Sequence, residues 1–360
     1  MVESNLHRHM SEFLNAEIVL GTITDVYVAM NWISSTFLYV RVFANPRHYG
    51  IPAGLSKEET EAKLQALCMR ELNGLEKYDL IVKTNFAYNF QPTDNGILMA
   101  RYYIAFETMK IFMQVKGTET LPELLQLISR CHEFKEIQLR VNERGTLNML
   151  NVNKVRDTIR FPISGRIKTK EMKVNCLIQA TLGSLQIHDP SLAQEAVKVI
   201  NIAQRLLQGF SRYLWGRDHY KSLVSALTLN KCVVCRLWDN SAHITRQLPG
   251  VGHALASLLA SANKTTFRDV VQSSPRDLER ITNRHPPFGN QLQLAAMRFP
   301  QYSLTIDYLP AQLKIVVTIK IVNASDLSET GGSDHKFNLI IGDVVNNKIL
   351  KKETIQYVCI

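Results

Sequence analysis

The sequence predicts a mainly α-helical fold with small β elements, and three observations carry that prediction. Apolar residues recur at helical spacing through most of the chain before Tyr302. Short runs between Asp79 and Thr93 and again beyond Tyr302 have strand texture. Between two helical stretches, Leu248-Pro249-Gly250-Val251-Gly252 places paired glycines where the chain must turn sharply. The 360 residues, 46% hydrophobic and 21% charged, have an ordinary globular composition. Such a length accommodates roughly two to four domains.

Residues 24–42 have helical texture, with Thr24 as the expected N-cap. Lys57 to Lys77 reads as a second helix, carrying Glu58, Glu61, Leu64, Leu67, Cys68 and Leu72 at amphipathic spacing. Two short strands are expected around Asn85, and Thr93 or Asp94 then opens a helix that continues to Lys110. Helices, a β-hairpin and a further helix make a winged helix over residues 21–115. That module either binds DNA or packs against a neighbouring domain.

Residues 116–240 read as a helical bundle, interrupted between Asn142 and Gly165. From Arg130 to Lys173 eleven Lys/Arg face five Asp/Glu, so +6 of the chain's net charge of +10 is concentrated there. Arg160, Arg166, Lys168, Lys170 and Lys173 form the expected basic patch, which is either a solvated face or a polyanion track. After Asp189-Pro190, the residues Gln194, Lys198, Asn201, Arg205, Gln208, Arg212 and Trp215 follow one another at steps of four and three. They therefore share one face of a helix. Leu192, Ala196, Val199, Ala203, Leu206, Phe210 and Tyr213 repeat the same steps two residues out of phase, on the opposite face. The polar stripe would offer cations to phosphates and Trp215 to a base, or simply face solvent.

Residues 241–298 read as a helix-hairpin-helix. Gly250, Val251, Gly252 and His253 form its turn and the start of the next helix, whose first N–H groups lack internal partners and attract an anion. The alternative is an ordinary helical corner with a glycine cap. Ser274-Pro275-Arg276-Asp277 opens a further helix, with Ser274 at the N-cap and Pro275 at N1. Residues 299–360 turn to strands, too few for a sandwich of about 100 residues, so an incomplete immunoglobulin-like β domain is expected.

Several classes are disfavoured. No apolar run approaches the roughly 18 residues of a membrane span, and the N-terminus has no apolar signal core, so a soluble intracellular protein is expected. Six scattered cysteines do not make a disulfide frame, and Cys232-Val233-Val234-Cys235 lacks the second pair of a zinc site; no metal is expected. There is no G-x-S-x-G elbow, and His132-Glu133-Phe134-Lys135-Glu136 ends in Glu where a zincin needs His. Base-excision glycosylases share similar hairpins. Those acting as lyases resemble one another in a Lys two residues beyond the second glycine, a slot filled here by Ala254.

Four separated blocks, Asn15 to Gly21, Tyr39 to Gly50, Lys173 to Ala180 and Asn283 to Gly289, together resemble the C-terminal cassette of superfamily II helicases. The nearest resemblance is to the meiotic DNA helicases that promote crossover formation, with spliceosomal unwinding helicases and a translocon protein more distant. The resemblance implies a winged helix, a ratchet-helix bundle, a helix-hairpin-helix and an immunoglobulin-like domain following two RecA-like motor lobes, with residues 1–20 as the tail of the second lobe. The Gln194–Trp215 stripe would be the ratchet helix on the translocating strand. It further implies an ATP-dependent 3′-to-5′ DNA helicase acting in the nucleus on single-stranded or branched DNA, alongside its motor lobes and recombination proteins. ATP and Mg2+ would serve the motor lobes. This chain carries no G-x-x-x-x-G-K-[ST] loop, so it has no cofactor of its own in this reading and is not expected to hydrolyse ATP unaided. A motorless DNA/RNA-binding or protein-interaction scaffold, or part of an RNA-unwinding spliceosomal-type helicase, is the alternative, with a helix-hairpin-helix glycosylase behind them.

Overall fold

The computed structural model describes residues 2–84, 89–152, 159–309, 314–330 and 334–358. The chain divides into two units, Met1–Gln179 with Ile187–Asn230 and Ala180–Gln186 with Lys231–Ile360. The fold is mainly helical, with two-stranded sheets only among the described residues.

The first unit opens with α1 (Met10–Leu20), which buries Met10, Leu14 and Ile18 and stops at Gly21. Gly21 sits at φ 78°, a left-handed cap that glycine adopts without a Cβ penalty. Met10, Leu14 and Ile18 lie within the segment expected as the tail of a preceding lobe. Buried Asn15 donates its Nδ2 to the Gly96 carbonyl at 2.9 Å. The span 24–42, expected as one helix, is two: α2 (Val26–Ser34) and α3 (Phe37–Ala44). Asp25, not Thr24, caps the first by accepting from Val28 N at 2.9 Å, and Thr36 caps the second. Side chains that satisfy orphan amides at both starts explain the break. Glu3 ties this region to the N-terminus, accepting from Arg41 Nη2 at 2.7 Å, Asn45 Nδ2 at 3.0 Å and Tyr49 Oη at 2.8 Å.

Helix α4 (Lys57–Lys77) starts at a Ser56–Glu59 capping box and buries Leu64, Cys68 and Leu72. Strands β1 (Ile81–Lys83) and β2 (Phe90–Pro92) pair antiparallel; the turn expected at Asn85 lies outside the described residues. The helix expected from Thr93 to Lys110 is again two, α5 (Asp94–Arg101) and α6 (Phe106–Met113), and Tyr103 between them has φ 49°. A Cβ at Gly96 would lie 2.1 Å from the Leu80 carbonyl, so only glycine lets α5 start against that strand.

The bundle comprises α7 (Leu121–Ser129), α8 (Arg144–Val152), α9 (Lys170–Leu182), α10 (Pro190–Trp215) and α11 (Tyr220–Cys235), with the ends of α9 from Ala180 and of α11 from Lys231 belonging to the second unit. Lys173 corrects an expectation: it is no part of a basic surface patch. Its side chain is fully buried, with Nζ 2.6 Å from Glu143, 2.5 Å from Glu195 and 2.8 Å from the Gln138 carbonyl. A buried ammonium persists only when paired and hydrogen-bonded, and this one has three oxygen partners.

In the second unit, α12 (His253–Ser261), α13 (Phe267–Gln272), α14 (Pro275–Thr282) and α15 (Phe288–Met297) enclose Leu248, Val251, Ala256, Leu259, Val270, Leu278, Leu292 and Ala296. Ser274 caps α14 by accepting from Asp277 N at 3.1 Å, as its sequence suggests. Asp269 belongs to the capping box of Thr266 at the start of α13. Gly289 packs on α14, where a Cβ would lie 2.1 Å from the Pro275 carbonyl. Beyond it, β3 (Tyr302–Leu309) pairs with β4 (Lys314–Ile321), α16 (Ala324–Thr330) follows, and β5 (Asp334–Asp343) pairs with β6 (Lys348–Val358). These are two separate antiparallel hairpins among the described residues.

Two outcomes follow for stability. Lys173→Met leaves Glu143 and Glu195 buried without their shared cation and is expected to cost about 3–5 kcal/mol in urea unfolding. Lys168→Met, at an exposed site, should stay within about 0.5 kcal/mol; equal costs would contradict the buried cluster. The hydrogen bond from Arg41, then those from Asn45 and Tyr49, hold the Glu3 carboxyl well below the usual carboxylate range. Its contribution is therefore present above the ordinary carboxylate pKa and is lost as pH falls through the lower folded value. Thermal unfolding of the wild-type and Glu3→Gln proteins should differ at neutral pH and converge in acid; a pH-independent gap would contradict this account.

Candidate nucleic-acid interface

Helix α10 has 26 residues and spans about 39 Å at 1.5 Å per residue. Asp189 fixes its start, accepting from Ser191 N at 2.9 Å and Leu192 N at 3.1 Å. All seven residues of the apolar stripe, Leu192, Ala196, Val199, Ala203, Leu206, Phe210 and Tyr213, are buried. Phe210 packs on Phe112 with ring centroids 4.7 Å apart. On the other face Gln194, Lys198, Asn201 and Arg212 are exposed, while Arg205, Gln208 and Trp215 are half-buried.

Arg205 departs from the simple ladder. Its Nη1 donates to the Tyr102 carbonyl at 3.0 Å and also to the Tyr103 carbonyl. These carbonyls belong to the link where α5 has ended, so the guanidinium caps a broken helix. One turn along, a Cβ at Gly209 would lie 2.6 Å from Ile104 Cδ1. Arg205 and Gly209 therefore seat the middle of α10 against residues 102–104, and Arg205 has at most part of its donor fork left for a ligand.

The described part of the basic loop between α8 and α9, residues 159–169, is held by amide side chains. Asn151 donates Nδ2 to the Ile163 and Gly165 carbonyls at 2.8 and 3.0 Å and accepts from Ile163 N at 2.7 Å. Gln179 accepts from Phe161 N at 2.7 Å and donates to the Phe161 carbonyl at 2.9 Å, and Asn148 accepts from Ile167 N at 2.8 Å. These bonds replace a regular ladder and pre-organise the loop. Arg160, Arg166 and Lys168 are exposed on it and Lys170 is half-buried. Arg160 also lies over the Phe161 ring at 5.2 Å. Of the five expected patch residues only Lys173 is withdrawn into the core.

The hairpin lies in the second unit. Gly250 has φ 76°, which requires the left-handed region, and Gly252 is the N-cap of α12 with no side-chain hydrogen bond to that helix start. Val251 turns its side chain into the core, and its N–H donates to the Leu248 carbonyl at 3.1 Å. His253 contributes ring as well as backbone: its Nε2 donates to the Ser184 carbonyl at 3.0 Å, and the ring stacks on His243 at 5.9 Å. Burial, followed by the neighbouring His253 and Arg246, pushes the His243 pKa below the ordinary imidazole value. Arg246 anchors the other side of Ser184 through its Oγ at 2.7 Å. His243 and Arg246 were not singled out by sequence reasoning, and no motif marks them.

Chemically, these surfaces offer cations, open amides and one indole. No group of three or more His, Cys, Asp or Glu that could hold a metal occurs among the described residues. Cys232 is buried and Cys235 is half-buried, both as free thiols. No described helix is long and apolar enough to cross a membrane.

Comparison with known proteins accords with this architecture. Residues 92–358 match the Sec63 Brl domain model, and residues 3–83 match a winged helix-turn-helix domain model. The probable ATP-dependent DNA helicase HFM1 of Xenopus tropicalis is 46% identical over 359 residues, covering 98% of this chain and 27% of the relative. The ATP-dependent DNA helicase homolog MER3 of Arabidopsis thaliana is 33% identical over 369 residues, covering 99% and 32%. The U5 small nuclear ribonucleoprotein 200 kDa helicase of Drosophila melanogaster is 30% identical over 363 residues, covering 98% and 16%. The chain spans about a quarter of the length of the first of these curated relatives. With a winged helix ahead of a Sec63 Brl match that runs nearly to its end, and similarity to HFM1 and MER3 helicases along almost all of it, the chain belongs to the Sec63 Brl domain family.

Proposed function

We propose that this chain is the strand-guiding part of an ATP-dependent 3′-to-5′ DNA helicase acting in meiotic recombination and crossover formation. In this reading residues 116–240 are the ratchet-helix bundle, 241–298 the helix-hairpin-helix and 299–360 an incomplete immunoglobulin-like domain. ATP and Mg2+ serve RecA-like motor lobes elsewhere in the full-length protein, which works in the nucleus on single-stranded or branched DNA with recombination proteins. The observation that carries the reading is the division of α10 into a fully buried apolar stripe and a polar stripe on which Gln194, Lys198, Asn201 and Arg212 are exposed. Lys198 and Arg212 contact phosphates, Gln194, Asn201 and Gln208 offer hydrogen bonds, and Trp215 stacks on a base. Arg205 acts mainly as the brace that orients this face. In the hairpin Gly250, Gly252 and His253 present backbone amides to a second stretch of phosphate, with Val251 pinning the turn through its bond to the Leu248 carbonyl, while Arg160, Arg166, Lys168 and Lys170 line a basic approach. The stronger resemblance to HFM1 and MER3 than to the U5 helicase favours DNA over RNA.

The test uses the chain with labelled single-stranded DNA. Affinity should fall steeply with salt, with a log-log slope near −3 to −4 for roughly four to six phosphate contacts. Lys198→Ala and Arg212→Ala should each weaken binding uniformly across sequences with the melting temperature unchanged, and Trp215→Ala should remove about 1–3 kcal/mol of stacking. Arg205→Ala, by contrast, should lower thermal stability. Salt-independent binding, or crosslinks confined to the winged helix with none on α10, would overturn the assignment.

A further inference from the structure

The C-terminal end of α10 borders a cleft of about 600 Å3 shared with α5. Its volume falls in the range of small-ligand sites, roughly 300–1,000 Å3. Three guanidinium groups line it from separate supports: Arg101 at the end of α5, Arg212 in the last turn of α10, and Arg217 just beyond. Arg217 is held in place, its Nη2 donating to Tyr213 Oη at 3.2 Å and its guanidinium lying 4.9 Å from that ring's centroid. Arg101 and Arg212 are exposed and form no ion pair with any described residue. Trp215, half-buried, supplies a flat wall.

Two carboxylates, Asp79 and Asp94, also line the cleft. Asp94 begins α5, about 10 Å along the helix from Arg101, and Asp79 accepts a hydrogen bond from Asn95 Nδ2 at 3.1 Å. Three guanidinium groups outnumber the two carboxylates, and Arg101 stands a helix length of α5 away from Asp94, so a phosphate is drawn to the arginines. Guanidinium forks match phosphate oxygens two at a time, and convergent like charges gain most from a shared anion.

We infer that this cleft seats one nucleotide of the guided strand, with Arg101 as a phosphate contact lying outside α10 and Trp215 as the stacking wall. This rests on the reading of α10 as the strand-guiding helix. Arg101 makes the strand bridge from α10 to α5, so the nucleotide at this point is gripped from two helices rather than laid on one.

Fluorescence anisotropy of the chain with fluorescein-labelled oligothymidine, across a salt series, tests the inference. Loss of one phosphate contact on a single strand lowers the magnitude of the log-log slope by about 0.7. Arg101→Ala should produce that change, Arg101→Lys should keep the wild-type slope, and Arg70→Ala, at an exposed position on α4, should leave it unaltered. With 2-aminopurine in the strand, Trp215→Ala should abolish the stacking quench. An unchanged slope for Arg101→Ala alongside a reduced one for Arg212→Ala would overturn the cleft while leaving α10 as the guide. Unchanged slopes for both would overturn the α10 reading and the cleft with it.

Discussion

Everything on the outward face of α10 depends on how the helix is clamped from behind, and the clamp is electrostatic at one end. Lys173 on α9 buries an ammonium between Glu143, just before α8, and Glu195 in the second turn of α10. Arg140 closes the cluster, with Nε 3.3 Å from Glu143 and Nη1 donating to Ser191 Oγ at 3.0 Å. Desolvating these charges is costly, so the arrangement persists only where every partner is in place. That requirement fixes the rotation of α10 about its own axis. Arg205 and Gly209 repeat the constraint midway along the helix, by hydrogen bonding and by close approach. Lys198, Arg212 and Trp215 are left on the outside as a consequence.

The blocks that carry the family resemblance mostly explain packing. Asn15 and Gly21 join α1 to α5 and end it; Arg41, Asn45 and Tyr49 grip Glu3. Lys173 and Gln179 tie the bundle and its basic loop. Asn283 caps α14 at φ 50°, and Gly289 permits close contact with Pro275. Each is a position where one side chain satisfies several buried groups or where a Cβ has no room. Such sites admit few substitutes, whereas exposed cations can be traded among neighbouring positions with little loss of long-range attraction.

Charge is distributed unevenly along the chain. Residues 1–83 contain eight Lys/Arg and ten Asp/Glu, a net −2, within a chain of net +10. The segment matching the winged helix therefore has no excess of cations with which to attract a polyanion. Its exposed Tyr27, Phe37 and Val40 give it an apolar rather than a basic surface. Between the two roles open to a winged helix, this balance favours packing against protein. The positive charge lies farther along, in the basic loop, α10 and the approach to the hairpin.

The sequence by itself determined the helical class, the two faces of α10, the cap at Ser274, and the sharp turn at Gly250 and Gly252. These rest on local rules: a period of 3.6 residues, orphan amides at helix starts, and the freedom of glycine. Tertiary structure decided what a charge at a given position is for. Lys173, Arg205 and Lys198 are alike on a helical wheel or in a charge count. One is buried between carboxylates, one braces a broken helix, and one faces water. The breaks at Ser35 and Tyr102 were likewise hidden, because competing caps and the close seat of α10 on residues 102–104 override helix propensity there. Local rules cannot see partners that lie tens of residues away, and burial, which assigns each cation its role, is set by those partners alone.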